Sequence, residues 1–176
     1  MRQLLHALAL AAVMAAGPVQ AADFYTAGNS HCQEIARQLG KPWRSVAVSG
    51  ASIADLPRQL VRVPFGAFVI VCPATNDAAR DDMATASPFY AQAALDVAEW
   101  RSLRLVFIGP SAVAIDDGWR RRAQKIDGFL EVLLRTKGVP YISIFSDPAR
   151  QPGSDKVHLT GDAYRALGAE AALRLD

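Results

Sequence analysis

The 176-residue sequence has little cysteine and histidine, with two of the former and three of the latter. Two cysteines are too few for a disulfide-dense small domain. Neither a CxxC pair nor two histidines four residues apart is present, so nothing suggests a metal site, and no cofactor is expected. The chain also lacks a basic excess, with 19 Lys and Arg against 17 Asp and Glu, which argues against a nucleic-acid partner. A hydrophobic share of 51% excludes a disordered chain.

The N-terminus has the layout of a secretory signal peptide. Met1-Arg2 gives a short positive end, an apolar run extends from Leu4 to Ala16, and Val19 and Ala21 place small residues where a signal peptidase reads. The run is too short to span a bilayer, and no second long apolar stretch follows. We therefore expect residues 1–21 to be removed and residues 22–176 to form a single exported domain, periplasmic or secreted. An uncleaved anchor or a buried N-terminal helix is the alternative.

Downstream of the leader, short apolar runs alternate with helical patterns. The run AFVIVC is apolar throughout, as expected of a central strand buried on both faces. Five strands separated by helices predict a three-layer α/β/α sandwich with a five-stranded parallel sheet, since parallel neighbours need crossover connections. The predicted strands cover residues 24–27, 45–48, 67–72, 103–108 and 141–145, the predicted helices 30–39, 54–61, 87–101, 117–137 and 160–173, and the predicted loops 78–86 and 148–154.

Polar residues follow three of these strands and precede the last helix. They read GNS at 28–30, SGAS at 49–52, ATND at 74–77 and DKVH at 155–158. Ligands of parallel α/β sheets bind at the carboxyl ends of the strands, so the four blocks mark the candidate site.

The order of the four blocks resembles the SGNH (GDSL-type) serine hydrolase superfamily, whose blocks are GDS, a glycine, GxND and DxxH. The resemblance covers essentially all of residues 23–175 and implies the flavodoxin-like fold of that superfamily. It also implies hydrolysis of a carboxylic ester through an acyl-enzyme. Two residues depart from the pattern, because Asn29 stands for the aspartate before the nucleophile and Ala74 for the glycine of the third block.

The resemblance assigns roles to five residues. Ser30 matches the nucleophile, His158 the general base, and Asp155 the partner that orients the imidazole. The N–H of Ser30, the N–H of Gly50 and the side chain of Asn76 match the oxyanion hole. Independently of the family, a serine at the N-terminus of a helix lies where developing negative charge is favoured. Serine at that position can also be a simple helix cap.

Three further residues lie close to these blocks. His31 directly follows Ser30, so on a helix it points about 100° away and is a poor general base. It could line the mouth of the site, although a purely structural role is favoured. Cys32 lies just after the first strand and Cys72 at the end of the third, and the resemblance makes these strands sheet neighbours, so both thiols would lie close to the site. A disulfide and two buried free thiols both stay open.

The sequence leaves the ester itself open. Secreted members of the superfamily of this size include lysophospholipases, thioesterases and esterases that remove acetyl groups from glycans. No long apolar insertion for an acyl chain is evident, and an envelope location would place the protein beside polysaccharides. These features favour a polysaccharide O-acetylesterase over a lysophospholipase or thioesterase. A non-catalytic glycan-binding or assembly protein on the same scaffold is the alternative from another class.

Overall fold

A computed structural model describes residues 23–175 of the chain. The expected signal peptide lies outside the described residues. None of the helices within residues 23–175 combines the length and the apolar character that crossing a bilayer requires.

Five parallel strands form one sheet in the order β2-β1-β3-β4-β5, with helices between them. The prediction of an α/β fold with a five-stranded parallel sheet is confirmed. The strands are β1 (Phe24–Gly28), β2 (Arg44–Ser45), β3 (Phe68–Cys72), β4 (Arg104–Ile108) and β5 (Tyr141–Ile142). The helices are α1 (Ser30–Leu39), α2 (Leu56–Leu60), α3 (Asp81–Trp100), α4 (Asp117–Thr136) and α5 (Gly161–Leu173), with 3-10 turns at Ile53–Asp55, Asp77–Ala79 and Pro148–Arg150.

Helices cover both faces of the sheet and enclose two separate cores. On β3, Val69 and Val71 face one core, while Ile70 and Cys72 face the other, as the alternation of side chains along a strand requires. Helices α2, α3 and α4 pack on the first face, and α1 packs against α5 on the second. Strand β3 therefore needs apolar residues at every position, which explains its uninterrupted apolar run.

Strands β2 and β5 are shorter than their apolar runs predicted. Strand β2 ends at Ser45, yet the backbone N–H groups of Val46 and Val48 still donate to β1, at 2.9 Å to Thr26 O and 3.0 Å to Gly28 O. The chain thus stays beside β1 up to the second polar block. Both strands lie at the edges of the sheet, where a neighbour is available on one side only.

The predicted start of α3 is wrong. The helix begins at Asp81 and not at Ser87-Pro88, so most of the segment predicted as a loop over residues 78–86 is helical. Pro88 lies inside the helix, where the hydroxyl of Ser87 donates to the Met83 carbonyl at 2.8 Å. Two aspartates in the first turn favour the helix start, and Arg122 of α4 holds that end by an ion pair with Asp81 at 3.0 Å.

Candidate active site

Ser30 is the first residue of α1 and lies two residues after the end of β1. Asn29 caps the helix, since its side-chain oxygen accepts the N–H of His31 at 3.0 Å and its carbonyl accepts that of Cys32 at 3.1 Å. Within the described part of the chain, the N–H of Ser30 has no such acceptor. This free N–H lies at the positive end of the helix dipole, where it can donate to a developing oxyanion.

The structure brings Ser30, His158 and Asp155 into one hydrogen-bonded chain. The Oγ of Ser30 lies 2.8 Å from Nε2 of His158, and Nδ1 of the same ring lies 2.6 Å from Oδ2 of Asp155. An ionised Asp155 accepts the Nδ1 proton, which leaves the Nε2 lone pair directed at the serine hydroxyl. In this arrangement the imidazole can take the serine proton during nucleophilic attack.

Two backbone groups keep Asp155 ionised. Its Oδ1 accepts the N–H of Val157 at 2.9 Å and that of His158 at 2.8 Å. These bonds, followed by the bond to the His158 side chain, lower the pKa of Asp155 to about 2. The carboxylate is therefore charged at any pH at which His158 acts as a base, and it can stabilise the imidazolium that forms.

His31 has the structural role that its sequence position favours, and it does not line the mouth of the site. Its side chain is buried, because the ring turns inward and its Nδ1 lies 2.7 Å from the hydroxyl of Tyr164 on α5. Burial, and next the charge of His158, lower the pKa of His31 to about 3, so this imidazole is neutral. Its ring centroid lies 5.2 Å from that of His158, so the two imidazole rings are neighbours.

Tyr164 is a contributor that sequence reasoning missed. Its hydroxyl also accepts the N–H of Leu159 at 3.2 Å, the residue after the candidate base. One buried tyrosine thus joins α1, α5 and the loop that carries His158. No motif indicates it, although its place in the first turns of the last helix makes contact with α1 possible.

Gly50 and Asn76 lie in loops that contact each other. Gly50 occupies an exposed turn with a positive φ of 76°, a conformation that glycine adopts without strain. The side-chain amide of Asn76 donates to the carbonyl of Ala51 at 2.9 Å, and Asp77 accepts the N–H of Ile53 at 2.9 Å. The third block therefore fixes the segment that follows Gly50, while the second hydrogen of the Asn76 amide is left for another acceptor.

The two departures from the family pattern both have structural consequences. Ala74 is buried with a positive φ of 78°, so an alanine here takes on a strained conformation that a glycine adopts freely, at a cost of roughly 1–2 kcal/mol. Asn29 retains the capping oxygen, but its Nδ2 is buried and has no partner among the described residues. Neither change removes Ser30, His158 or Asp155.

The structure joins Cys32 and Cys72 in a disulfide, with 5.4 Å between their Cα atoms. Of the two possibilities that the sequence left open, it has the bonded one. The bridge connects the first turn of α1 to the end of β3. Close packing there also explains Gly28, which pairs with Cys72 and whose Cβ, if present, would overlap the Cys72 carbonyl.

Two cavities of about 370 Å³ each open on opposite sides of the end of β1. We call the first the Ser30 cavity, and it contains residues of α1 and α5. The second, the Gly50 cavity, contains residues of α2, which packs on the other face of the sheet. The Ser30 cavity is lined by Ser30, Gln33, Glu34, Arg37, His158, Leu159 and Tyr164, and the Gly50 cavity by Val48, Ser49, Gly50, Ala51, Asp55, Arg58, Gln59 and Arg62. Across residues 23–175, no cluster of His, Cys, Asp and Glu side chains has the makings of a metal site.

Neither the known protein-family models nor the curated proteins match this sequence. Solved structures do match. A GDSL-like lipase from Bacteroides thetaiotaomicron superposes with a TM-score of 0.71 at 16% identity, over 95% of this chain and 94% of that one. A lipolytic protein of the G-D-S-L family from Veillonella parvula gives 0.67 at 16% identity, over 87% and 97%. The aryl esterase of M. smegmatis gives 0.63 at 16% identity, over 88% and 97%.

The chain therefore has the fold of the SGNH/GDSL-type hydrolases, as the resemblance of its four blocks implied. At this level of identity the likeness establishes the fold, and the activity has to be argued from the site.

Proposed function

We propose that this protein is an exported serine esterase that hydrolyses a carboxylic ester through an acyl-enzyme. The observation that carries the proposal is the continuous path from Ser30 Oγ through His158 to Asp155, with contacts of 2.8 and 2.6 Å. The solved structures of the same fold include an aryl esterase and a GDSL-like lipase, which supports chemistry on esters.

The geometry supports a two-step reaction. Ser30 Oγ attacks the ester carbonyl while His158 takes its proton, and Asp155 stabilises the resulting imidazolium. The N–H of Ser30, the N–H of Gly50 and the amide of Asn76 would share the charge of the tetrahedral oxyanion. The intermediate collapses when His158 protonates the departing alcohol, which leaves Ser30 acylated. Water, activated by the same histidine, then releases the acid.

The lining of the Ser30 cavity favours a short acyl group. Gln33, Glu34 and Arg37 contribute polar surface, and Arg37 and Glu34, one turn apart on α1, form an ion pair. A long alkyl chain would have to cover these charges without replacing their hydration. We therefore propose an O-acetylated polysaccharide as the substrate, ahead of a lysophospholipid or a thioester.

The first experiment compares hydrolysis of p-nitrophenyl acetate and p-nitrophenyl octanoate by the wild type and by Ser30→Ala. We expect hydrolysis of the acetate, with kcat at least 10³-fold lower in the variant. Thr136→Ala, which removes an exposed hydroxyl at the end of α4, is the matched control and should retain the wild-type rate.

Each other result redirects the proposal. Preference for the octanoate would favour a lipid or thioester substrate. Equal rates in the wild type and Ser30→Ala would rule out Ser30 as the nucleophile. Activity in neither would favour the glycan-binding alternative, for which the strained Ala74 and the unpartnered Nδ2 of Asn29 give some support.

Export is part of the same proposal. The signal-like N-terminus supports it, and so does the Cys32–Cys72 bridge, because disulfides persist in oxidising compartments. When the full chain is expressed in a bacterium, the periplasmic fraction should contain a protein that begins at residue 22, as determined by intact mass. Recovery of the uncleaved protein, still beginning at Met1, from the cytoplasmic fraction would contradict export.

A further inference from the structure

Arg58 and Arg62 place two unpaired positive charges at the Gly50 cavity. They lie one turn apart around α2, at its last turn and just beyond, and both side chains are exposed. Within residues 23–175, neither guanidinium has a carboxylate within 4.0 Å. Both side chains line the same cavity, so both guanidinium groups can reach one anion there.

Half of the fourteen arginines within residues 23–175 have a carboxylate within 4.0 Å. Arg37 contacts Glu34, Arg80 contacts Asp82 at 2.7 Å, and Arg174 contacts Glu170 at 2.7 Å. Arg58 and Arg62 belong to the other half, and they line the same cavity. The two charges remain available to a ligand.

The one acidic residue in the lining does not neutralise them. Asp55 uses its Oδ2 to accept the N–H of Ser52 at 3.0 Å and the Ser52 hydroxyl at 3.3 Å, as part of a helix cap. Counting one negative and two positive side chains, the Gly50 cavity carries a net charge of +1.

Gln59 connects this cavity to the reactive serine. Its amide donates to the carbonyl of Gly28 at 2.9 Å and accepts the N–H of the same residue, two positions before Ser30. Gly50, the candidate oxyanion donor, belongs to the same lining. A substrate whose carbonyl oxygen faces Gly50 therefore lies beside the cavity that Arg58 and Arg62 line.

We propose that the Gly50 cavity binds an anionic group on the alcohol portion of the ester. The substrate would then be an acetyl ester of an alcohol that also carries a negative charge, such as an acidic sugar. The inference rests on the proposed esterase activity and narrows its substrate. The anion, a carboxylate or another oxyanion, accepts hydrogen bonds from the two guanidinium groups.

A matched pair of substrates tests the proposal. Both 4-acetoxybenzoate and its methyl ester release acetate from a phenol, but only the first carries a negative charge on the alcohol portion. The measured quantity is the ratio of kcat/KM for the charged ester to that for the neutral one, in which differences in folded fraction cancel. We expect Arg58→Gln/Arg62→Gln to lower this ratio about fivefold, since exposed ion pairs contribute modestly.

The control is Arg121→Gln/Arg135→Gln, which removes two exposed charges from α4 and changes the net charge equally. The control should leave the ratio unchanged, and the effect of the Arg58 and Arg62 changes should shrink in 1 M salt. Equal ratios in the two double variants would overturn the proposal.

Binding separates this inference from the esterase proposal. In a Ser30→Ala background, calorimetry can measure binding of 4-acetoxybenzoate without turnover. If it binds more weakly by about fivefold once Arg58 and Arg62 are replaced, the anion site stands even where no Ser30-dependent hydrolysis is found. Binding that is indifferent to both arginines, in an active esterase, would overturn the anion site alone.

Discussion

The Ser30 and Gly50 cavities have the same volume but use their charges in opposite ways. In the Ser30 cavity, Arg37 is paired with Glu34. Asp155, behind His158, is held by two backbone N–H groups and the imidazole. In the Gly50 cavity, Arg58 and Arg62 have no carboxylate partner within the described chain.

This difference separates two tasks within one site. Proton transfer needs groups held in place before the substrate arrives, so their charges are already paired. Substrate recognition needs charges with which the substrate itself can pair. The charges of Arg58 and Arg62 therefore have no carboxylate partner within residues 23–175. Changes on the Ser30 side should therefore alter kcat or stability, whereas changes at Arg58 and Arg62 should alter the choice of substrate.

Asn76→Ala should give the largest effect among the remaining tests of this comparison. If its amide donates to the oxyanion, the loss should lower kcat about 10²- to 10³-fold and leave KM nearly unchanged, because the bond forms in the transition state. The same change removes the bond to the Ala51 carbonyl, so a urea titration should accompany the kinetics.

The kinetic parameters of Asn76→Ala, measured on p-nitrophenyl acetate, distinguish the two roles of the residue. A higher KM at constant kcat would mean that Asn76 contributes to substrate binding, as proposed for the Gly50 cavity, and not to stabilisation of the oxyanion. An unchanged rate in a folded variant would remove it from the oxyanion hole.

Replacing both bridged cysteines, by Cys32→Ala/Cys72→Ala, should give the next largest effect. The bridge closes a separation of 40 residues, so its loss should lower the free energy of unfolding by about 3–4 kcal/mol. Urea unfolding of the wild type, with and without reductant, is the comparison. The bridge anchors α1 behind Ser30, so the preference between charged and neutral esters should persist in the folded variant. A changed preference would mean that the two cavities are coupled.

The sequence predicted the sheet and the polar blocks well, for a clear physical reason. The residues GNS, SGAS and ATND follow consecutive parallel strands, whose carboxyl ends must meet at one edge of the sheet. The position of each block in the strand count therefore predicts that Ser30, Gly50 and Asn76 lie at this edge. The position of His158 against Ser30 depended on the resemblance, since nothing local fixes a contact across 128 residues.

Where the sequence failed, contacts between distant segments decided the structure. Ser87-Pro88 has the form of a helix start, but α3 begins at Asp81, where Arg122 from α4 holds the chain. The partner of His31 could not be predicted either, because Tyr164 reaches its ring from α5, 133 residues further along the chain. The free charges of Arg58 and Arg62 had no signal either, because α2 has five residues and too few turns to show a face.

His31 provides the smallest effect, and it appears in the pH dependence of stability. The folded-state pKa of about 3 lies below the unfolded value of 6.5, so between these values the unfolded chain binds a proton that the folded protein does not. The free energy of unfolding contributed by His31 should thus be complete above pH 6.5 and fall as the pH drops toward 3. Between pH 7 and pH 5 the loss should be about 2 kcal/mol.

The comparison of the wild type with His31→Gln isolates this contribution from that of Asp77. Burial raises the pKa of Asp77 to about 6 from 3.8, so acidification through that window stabilises the fold and opposes the effect of His31. Asp77 is present in both proteins, and glutamine can keep a hydrogen bond to Tyr164. Urea midpoints at pH 7 and pH 5 should therefore fall further in the wild type than in His31→Gln. Equal shifts of the urea midpoint would mean that burial does not keep the His31 imidazole neutral. The Ser30 cavity would then have a titrating charge next to it, unlike the Gly50 cavity, whose arginine charges do not change with pH.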